Sequence, residues 1–430
     1  MPVGLLTDHY ELMMLEAALR SGAAQRPCVF EVFTRRLPKG RRFGVLAGLG
    51  RLLDALPDFR FDDAAISMLA AQRVVDAQTC DWLASYRFTG DISGYGEGEL
   101  YFPGSPVLSV TGTFATAVLL ETLVLSILNH DSAIAAAASR MVSAADGAPC
   151  IEMGSRRTHE EAAVASARAA YIAGFASTSN LAARARYGVP TSGTSAHAFT
   201  LLHDDEVSAF EAQLAALGSA TTLLVDTYDV ETAVQRAVEL AGADLGAVRI
   251  DSGDLVQVAR DVRRLLDELG ATRTRIIATS DLDEDTIATL RREPVDGFGV
   301  GTSVVTGSGA PTAGFVYKLV ARARAADGTL EPVAKRSTGK ATPAGEKNAA
   351  RRLHDGQATA EVVYVGPAAK RDDERALTTR LVRAGDVVGV PNLEGIRAHH
   401  RRVLAELPEE ARSLAPGDPA LPTIYEEVRR

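Results

Sequence analysis

Several short clusters along the middle of the chain carry side chains suited to holding phosphate, carboxylate and ribose groups. Gly299-Val300-Gly301-Thr302 offers backbone N–H groups and a hydroxyl where a strand gives way to a turn, an arrangement that binds phosphate; the same turn also serves as a plain strand-to-helix connection. Arg156 and Arg157 follow a short apolar run. Their planar guanidinium groups match carboxylate or phosphate through paired hydrogen bonds, against the alternative of a solvated surface pair. His197 follows Thr191-Ser192-Gly193-Thr194-Ser195. An imidazole has two distinct nitrogens and serves as nucleophile, base or ligand, although a lone histidine is also an ordinary structural residue. Asp226, Asp251 and Asp254 suit three tasks: holding a metal that carries pyrophosphate, binding ribose hydroxyls, or orienting His197. Each could instead cap the helix it precedes, an alternative that applies above all to Asp254 and Asp281.

These clusters sit at equivalent points of a repeating pattern. Between Thr221 and Ala323, apolar, β-branched runs (Thr222–Val225, Ala247–Ile250, Arg275–Ala278, Gly297–Val300 and Phe315–Val320) alternate with segments of helical period, which predicts parallel βα units. One helix is explicit: from Asp254 to Leu269 the apolar residues share a face, and Gly270 follows as a stop. The runs end in Asp226, Asp251-Ser252-Gly253-Asp254, Thr279-Ser280-Asp281 and Gly299–Thr302. In parallel α/β folds the ligand lies at the C-terminal ends of the strands, so these clusters converge on one site. With Cys150–Gly154 and Val189–Thr194 as further strands, the pattern predicts a barrel of about seven or eight strands between roughly residues 110 and 325.

The two ends read differently. Residues 1–109 hold a helix near Tyr10–Leu19, a strand at Cys28–Phe33, helices around 44–86 and a turn-rich stretch, Gly90–Gly104; residues 326–430 hold hairpin segments such as Glu361–Val365 and two charged helices. Neither end is a complete domain, and together they are expected to form one discontinuous α+β domain beside the barrel. Asp8 and Glu11 have the spacing of a capping box for the first helix.

Composition narrows the function classes. The chain has 430 residues, 46% of them hydrophobic, and a net charge of −9, which argues against a general nucleic-acid surface. Cys28, Cys80 and Cys150 have neither CxxC spacing nor an even count, so no zinc site or disulfide framework is indicated, and a reducing compartment fits. The first residues show no basic region ahead of an apolar run, so a secretory signal is not expected. The apolar stretch Phe114–Leu128 contains Glu121 and reads as a buried helix, not a membrane span.

With the order of its motifs taken together, the sequence resembles the nicotinate phosphoribosyltransferases, of the type II phosphoribosyltransferase group, along nearly its whole length. The resemblance is carried by Leu6-Thr7-Asp8-His9-Tyr10-Glu11-Leu12-Met13, Phe30-Glu31-Val32-Phe33 with Arg35, Glu152-Met153-Gly154-Ser155-Arg156-Arg157, Thr178-Ser179-Asn180, Gly193-Thr194-Ser195-Ala196-His197, Arg249-Ile250-Asp251-Ser252-Gly253-Asp254, Gly299-Val300-Gly301-Thr302, Lys335-Arg336-Ser337 and Lys340-Ala341-Thr342-Pro343. It implies a cytoplasmic homodimer that joins nicotinate to the ribose 5-phosphate of PRPP for NAD salvage, with Mg²⁺, and with ATP as co-substrate through a phosphohistidine. It places that phosphohistidine at His197 with Asp226 as orienting acid, and Arg249 and Asp251 at the ribose and pyrophosphate. Thr194 joins the substrate-binding residues, while Ser280, Gly299, Gly301 and Thr302 take the phosphate and Lys318 adds a phosphate contact. Arg157 would meet the substrate carboxylate or the PRPP phosphates, and Tyr10 would stack on the pyridine ring across the dimer interface.

Two departures bear on specificity. Nicotinamide-using relatives carry an acid near the position of Ser179, and a neutral hydroxyl there favours a carboxylate substrate. Met153 stands where relatives often have an aromatic, and a thioether packs acceptably on a ring. The competing readings are a nicotinamide or quinolinate phosphoribosyltransferase, an unrelated phosphate-binding barrel enzyme, and a non-catalytic binding protein.

Overall fold

The computed structural model describes residues 3–335, 343–368, 371–389 and 391–427. Arg336, Ser337, Lys340, Ala341 and Thr342 of the last two motifs lie outside them. The chain divides into a terminal unit, Met1–Ala136 with Ala310–Arg430, and a contiguous unit, Ala137–Gly309. The division therefore falls inward of the expected limits at residues 110 and 325.

The terminal unit is α+β. Its main sheet has seven strands in the order Glu331–Pro332, Phe315–Arg322, Pro27–Thr34, Leu108–Thr113, Asp91–Tyr95, Thr378–Arg383, Asp386–Val387, and every neighbouring pair is antiparallel. Phe315–Arg322, expected in the barrel, is thus a neighbour of Pro27–Thr34. Its sequence explains this: Phe315 and Tyr317 are buried while Val316 and Lys318 are not, the alternation of a sheet packed on one face. Tyr317 stacks on Phe30 of the adjacent strand, with ring centroids 4.8 Å apart. A second sheet contains the expected hairpin, Lys347–His354 against Gln357–Val365, closed by Asp355 and Gly356, both at positive φ, as a type I′ turn requires.

The Asp8–Glu11 capping box does not form. Asp8 is the N-cap of the His9–Ser21 helix but makes no side-chain cap. Glu11 turns inward and accepts from the Thr7 and Thr122 hydroxyls and the Thr122 N–H. The apolar stretch at Phe114 runs into the Glu121–Ala145 helix; the combined segment is long and apolar enough to cross a membrane by length and composition, with 61% of its most apolar window buried inside the molecule, as a core helix would be.

A buried polar network joins the two chain ends within this unit. Arg351 and Glu361 are both fully buried and 2.8 Å apart; Glu361 also accepts from Tyr95 and Ser105, and Arg351 donates to the Leu100 carbonyl at 2.9 Å. Nearby, His400 donates from Nδ1 to the Gly98 carbonyl at 2.9 Å, and burial depresses its pKa to about 4. The unfolded histidine takes up a proton near pH 6.5 and the folded one only near pH 4, so stability is lost as pH falls through that window. The stability advantage of the wild type over His400→Asn should therefore shrink by about 3 kcal/mol between pH 7 and pH 4. Denaturant titrations at both pH values check this, and parallel curves would refute it.

The contiguous unit is built on a curled, half-barrel parallel sheet of six strands in the order Ser177–Thr178, Cys150–Glu152, Gly297–Val300, Arg275–Ala278, Ala247–Ile250, Thr222–Leu224. All its pairs are parallel. Gly297–Val300 is buried throughout, as a strand covered on both faces must be. Val189–Thr194 contributes only an isolated bridge from Thr191 to Thr178, since Pro190 lacks an N–H for a ladder. The helix expected from Asp254 runs Leu255–Glu268, capped by Asp254 through the Val256 and Gln257 N–H groups, so the capping alternative holds for Asp254.

Candidate active site

The strand ends of the contiguous unit surround a cleft of about 210 Å³ lined by Met153, Arg156, Arg157, Arg249, Asp251, Thr279, Ser280, Asp281, Gly299, Gly301 and Thr302. Four strands supply these residues, so residues scattered over 150 positions of sequence meet because parallel strands end on one side. The floor requires glycine at 299: a Cβ there would lie 2.5 Å from Thr279 Cγ2 and 2.8 Å from Met153 Sδ. At Gly301 a Cβ would come no closer than 3.6 Å to Met153 O, so that edge of the turn is open. Ser280 lies at φ 131°, a strained conformation for a residue with a Cβ, costing about 1–3 kcal/mol and characteristic of binding sites.

Arg249 gives the cleft its charge. One guanidinium nitrogen donates to the Thr194 hydroxyl, while its buried Nε has no hydrogen-bond partner. Burial pulls its pKa below the ordinary arginine value; Asp251 and Asp226 oppose that, and Arg156 adds to it. Arg156 and Arg157 are exposed. A cation with spare donors beside two more guanidinium groups is a site for an anion.

Asp226 does not hydrogen-bond His197. Its Oδ2 accepts from the Asp251 N–H at 2.9 Å and the Ser252 hydroxyl at 2.7 Å, so it braces the turn that carries Asp251. His197 instead has Nδ1 3.1 Å from the Thr227 hydroxyl, and its Nε2 stands 3.9 Å from both Asp226 and Asp251. Asp251 accepts from Thr279 at 2.5 Å. Thr279 belongs to the strand-end cluster Thr279-Ser280-Asp281, whereas Thr227 carries no signal in the sequence beyond a hydroxyl beside a strand end. Glu152 was also missed as a participant: its buried carboxylate accepts from the Gly154 N–H and the Thr178 hydroxyl, fixing the turn that carries Met153 and Arg157, and burial raises its pKa.

Other expected residues fall elsewhere. Ser179 is exposed beyond the edge strand, its N–H bonded to the Glu152 carbonyl at 2.8 Å, and it does not line the cleft. Asp281 lines the cleft, and the following helix is capped by Asp283 instead. Tyr10 and Lys318 belong to the terminal unit. Tyr10 is 44% exposed and has its pKa raised, first by burial and then by Glu121; Lys318 pairs with the same Glu121 at 3.7 Å.

Comparison with known proteins decides the family. Residues 5–129 match the nicotinate phosphoribosyltransferase (NAPRTase) N-terminal domain and residues 149–367 the NAPRTase family. The chain belongs to the nicotinate phosphoribosyltransferase family. Within it, the chain is 61% identical over 433 residues to nicotinate phosphoribosyltransferase pncB1 of Mycobacterium tuberculosis (strain ATCC 25618 / H37Rv), covering 98% of this chain and 95% of that protein. It is 36% identical over 375 residues to the Bacillus subtilis nicotinate phosphoribosyltransferase, covering 84% and 76%. Its fold matches the crystal structure of human nicotinic acid phosphoribosyltransferase with a TM-score of 0.83 at 25% identity, covering 97% of both chains. The α/β fold agrees with the strand-end motifs, but its parallel half-barrel has six strands where seven or eight are expected, because Phe315–Arg322 pairs in the antiparallel sheet and Val189–Thr194 forms only a bridge.

Proposed function

We propose that the chain forms nicotinate mononucleotide and diphosphate from nicotinate and PRPP, with ATP hydrolysis coupled through His197. The observation that carries the reading is the cleft itself: Arg249, with a buried unpartnered donor, shares it with Arg156, Arg157, Asp251 and the Gly299–Thr302 turn. In this reading the pyridine nitrogen forms a bond to the anomeric carbon as the carbon–oxygen bond to pyrophosphate breaks. The arginines stabilise the departing charge, Asp251 holds ribose hydroxyls, and Ser280, Gly301 and Thr302 take the 5′-phosphate. Positioning and charge stabilisation supply the catalysis, with no protein nucleophile at carbon. ATP would transfer its γ-phosphoryl group to His197, and hydrolysis of the phosphohistidine would return the free ring.

Among the described residues no group of three or more His, Cys, Asp or Glu is placed to hold a metal ion. Mg²⁺ would enter on the phosphates of PRPP and ATP, with Asp251 the cleft carboxylate it would meet. Preference for the acid over the amide rests on the likeness to nicotinate phosphoribosyltransferases, since Ser179 does not line the cleft. Assembly as a homodimer that presents Tyr10 to a partner's ring pocket belongs to the same reading, supported by the exposure of Tyr10 beside Met13 and Met14 on one helix.

The test is product formation from purified protein with nicotinate or nicotinamide, PRPP and Mg²⁺, with and without ATP, alongside His197→Ala. The acid should give its mononucleotide, ATP should raise the yield, and His197→Ala should abolish that ATP effect. Reaction of the amide alone would overturn the specificity argument, and an ATP effect that survives His197→Ala would overturn the phosphohistidine.

A further inference from the structure

We propose that Thr227, not an acid, is the positioning residue that fixes the plane and tautomer of the His197 ring; this rests on the reading of His197 as the phosphoryl acceptor. His197 opens the six-residue helix His197–Leu202, and its side chain is 41% exposed. Burial therefore does little to hold the ring. Among the described residues its one hydrogen bond is to Thr227 Oγ1, 3.1 Å from Nδ1.

The two carboxylates cannot replace that bond. Asp226 Oδ1 and Asp251 Oδ2 each lie 3.9 Å from Nε2, beyond hydrogen-bond reach. Both are already committed: Asp226 to the Asp251 N–H and the Ser252 hydroxyl, Asp251 to the Thr279 hydroxyl. Swinging either toward His197 would dismantle the turn that forms one wall of the cleft. What they do supply is a negative field on the Nε2 side, which stabilises the positive charge the ring gains as that nitrogen takes a phosphoryl group. Nδ1–H donates to the Thr227 hydroxyl, which leaves the Nε2 lone pair free to attack the γ-phosphorus of ATP. A buried unsatisfied oxygen on Asp226 completes the asymmetry: the charged side of the ring is held at a distance, and the neutral side by contact. Thr227 follows directly on Asp226, so one strand end provides both the field and the contact.

The experiment uses full-length protein with ¹⁵N-labelled histidine, with the His197 signals assigned by their loss in His197→Ala. In the wild type the ring should show a single tautomer protonated at Nδ1, Thr227→Val should give a mixture, and Thr227→Ser should restore the single form. In parallel, acid-labile labelling of the protein from γ-labelled ATP should slow roughly 10- to 100-fold in Thr227→Val and recover in Thr227→Ser. A Thr227→Val protein that keeps the wild-type tautomer and labelling rate would overturn the proposal, as would a Thr227→Ser protein no better than Thr227→Val. If the wild type takes no label but the tautomers behave as stated, the phosphohistidine reading fails while the role of Thr227 in holding the ring stands.

Discussion

Arg249→Ala should lower kcat/KM for mononucleotide formation about 10²- to 10³-fold, the usual loss when one preorganised donor to a developing negative charge is removed. The structure gives the reason. The Arg249 guanidinium is half-buried, its Nε lacks a partner, and its hydrogen bond to Thr194 leaves donors available to an anion. Removing it also leaves Asp251 facing the cleft with less compensating charge. Arg249→Lys keeps the charge but not the planar fork, and should recover only a small part of the loss. Steady-state kinetics over a range of PRPP concentrations checks both, and an Arg249→Ala enzyme within threefold of wild type would refute the anion-site assignment.

Arg351→Ala should destabilise the terminal unit by about 3–5 kcal/mol, because it strands the buried Glu361 carboxylate without its cation. Burial already raises the Glu361 pKa, and Arg351 is the main influence opposing that rise. Arg351 also packs over the Phe102 ring, 5.1 Å from its centroid, so the loss includes contact as well as charge. Replacing both partners, Arg351→Met with Glu361→Leu, should recover much of the stability, since no charge is then left buried. Urea unfolding of the two variants decides the matter: a single variant as stable as the wild type would show that the pair carries no such energy.

The chemistry was more legible than the wiring. Gly299–Thr302, Arg249–Asp254 and Met153–Arg157 could be placed at strand ends because βα alternation leaves a period that survives in one sequence, and the structure brings them to one cleft. Phe315–Val320 reads as a barrel strand because a short apolar run does not declare whether its neighbour is parallel or antiparallel; only the alternating burial of the strand does. An acid after a strand is a conspicuous signal and points to Asp226 as the partner of His197, whereas the hydroxyl of Thr227 gives no such signal. Glu11 was read as a cap from its spacing, yet Thr7 and Thr122 compete successfully for its carboxylate, a tertiary contact that local sequence cannot announce.

The interrupted terminal unit has a consequence for synthesis. Pro27–Thr34 lies between Leu108–Thr113 and Phe315–Arg322 in its sheet, and the second of those neighbours is made nearly three hundred residues later. At ribosomal rates of about 5–20 residues per second, that edge stays unpaired for roughly 15 to 60 s. The contiguous unit can close during the wait, while an apolar strand edge remains exposed to other nascent chains. Yield of soluble protein should therefore depend on how that interval is covered, by chaperones or by slower, cooler expression.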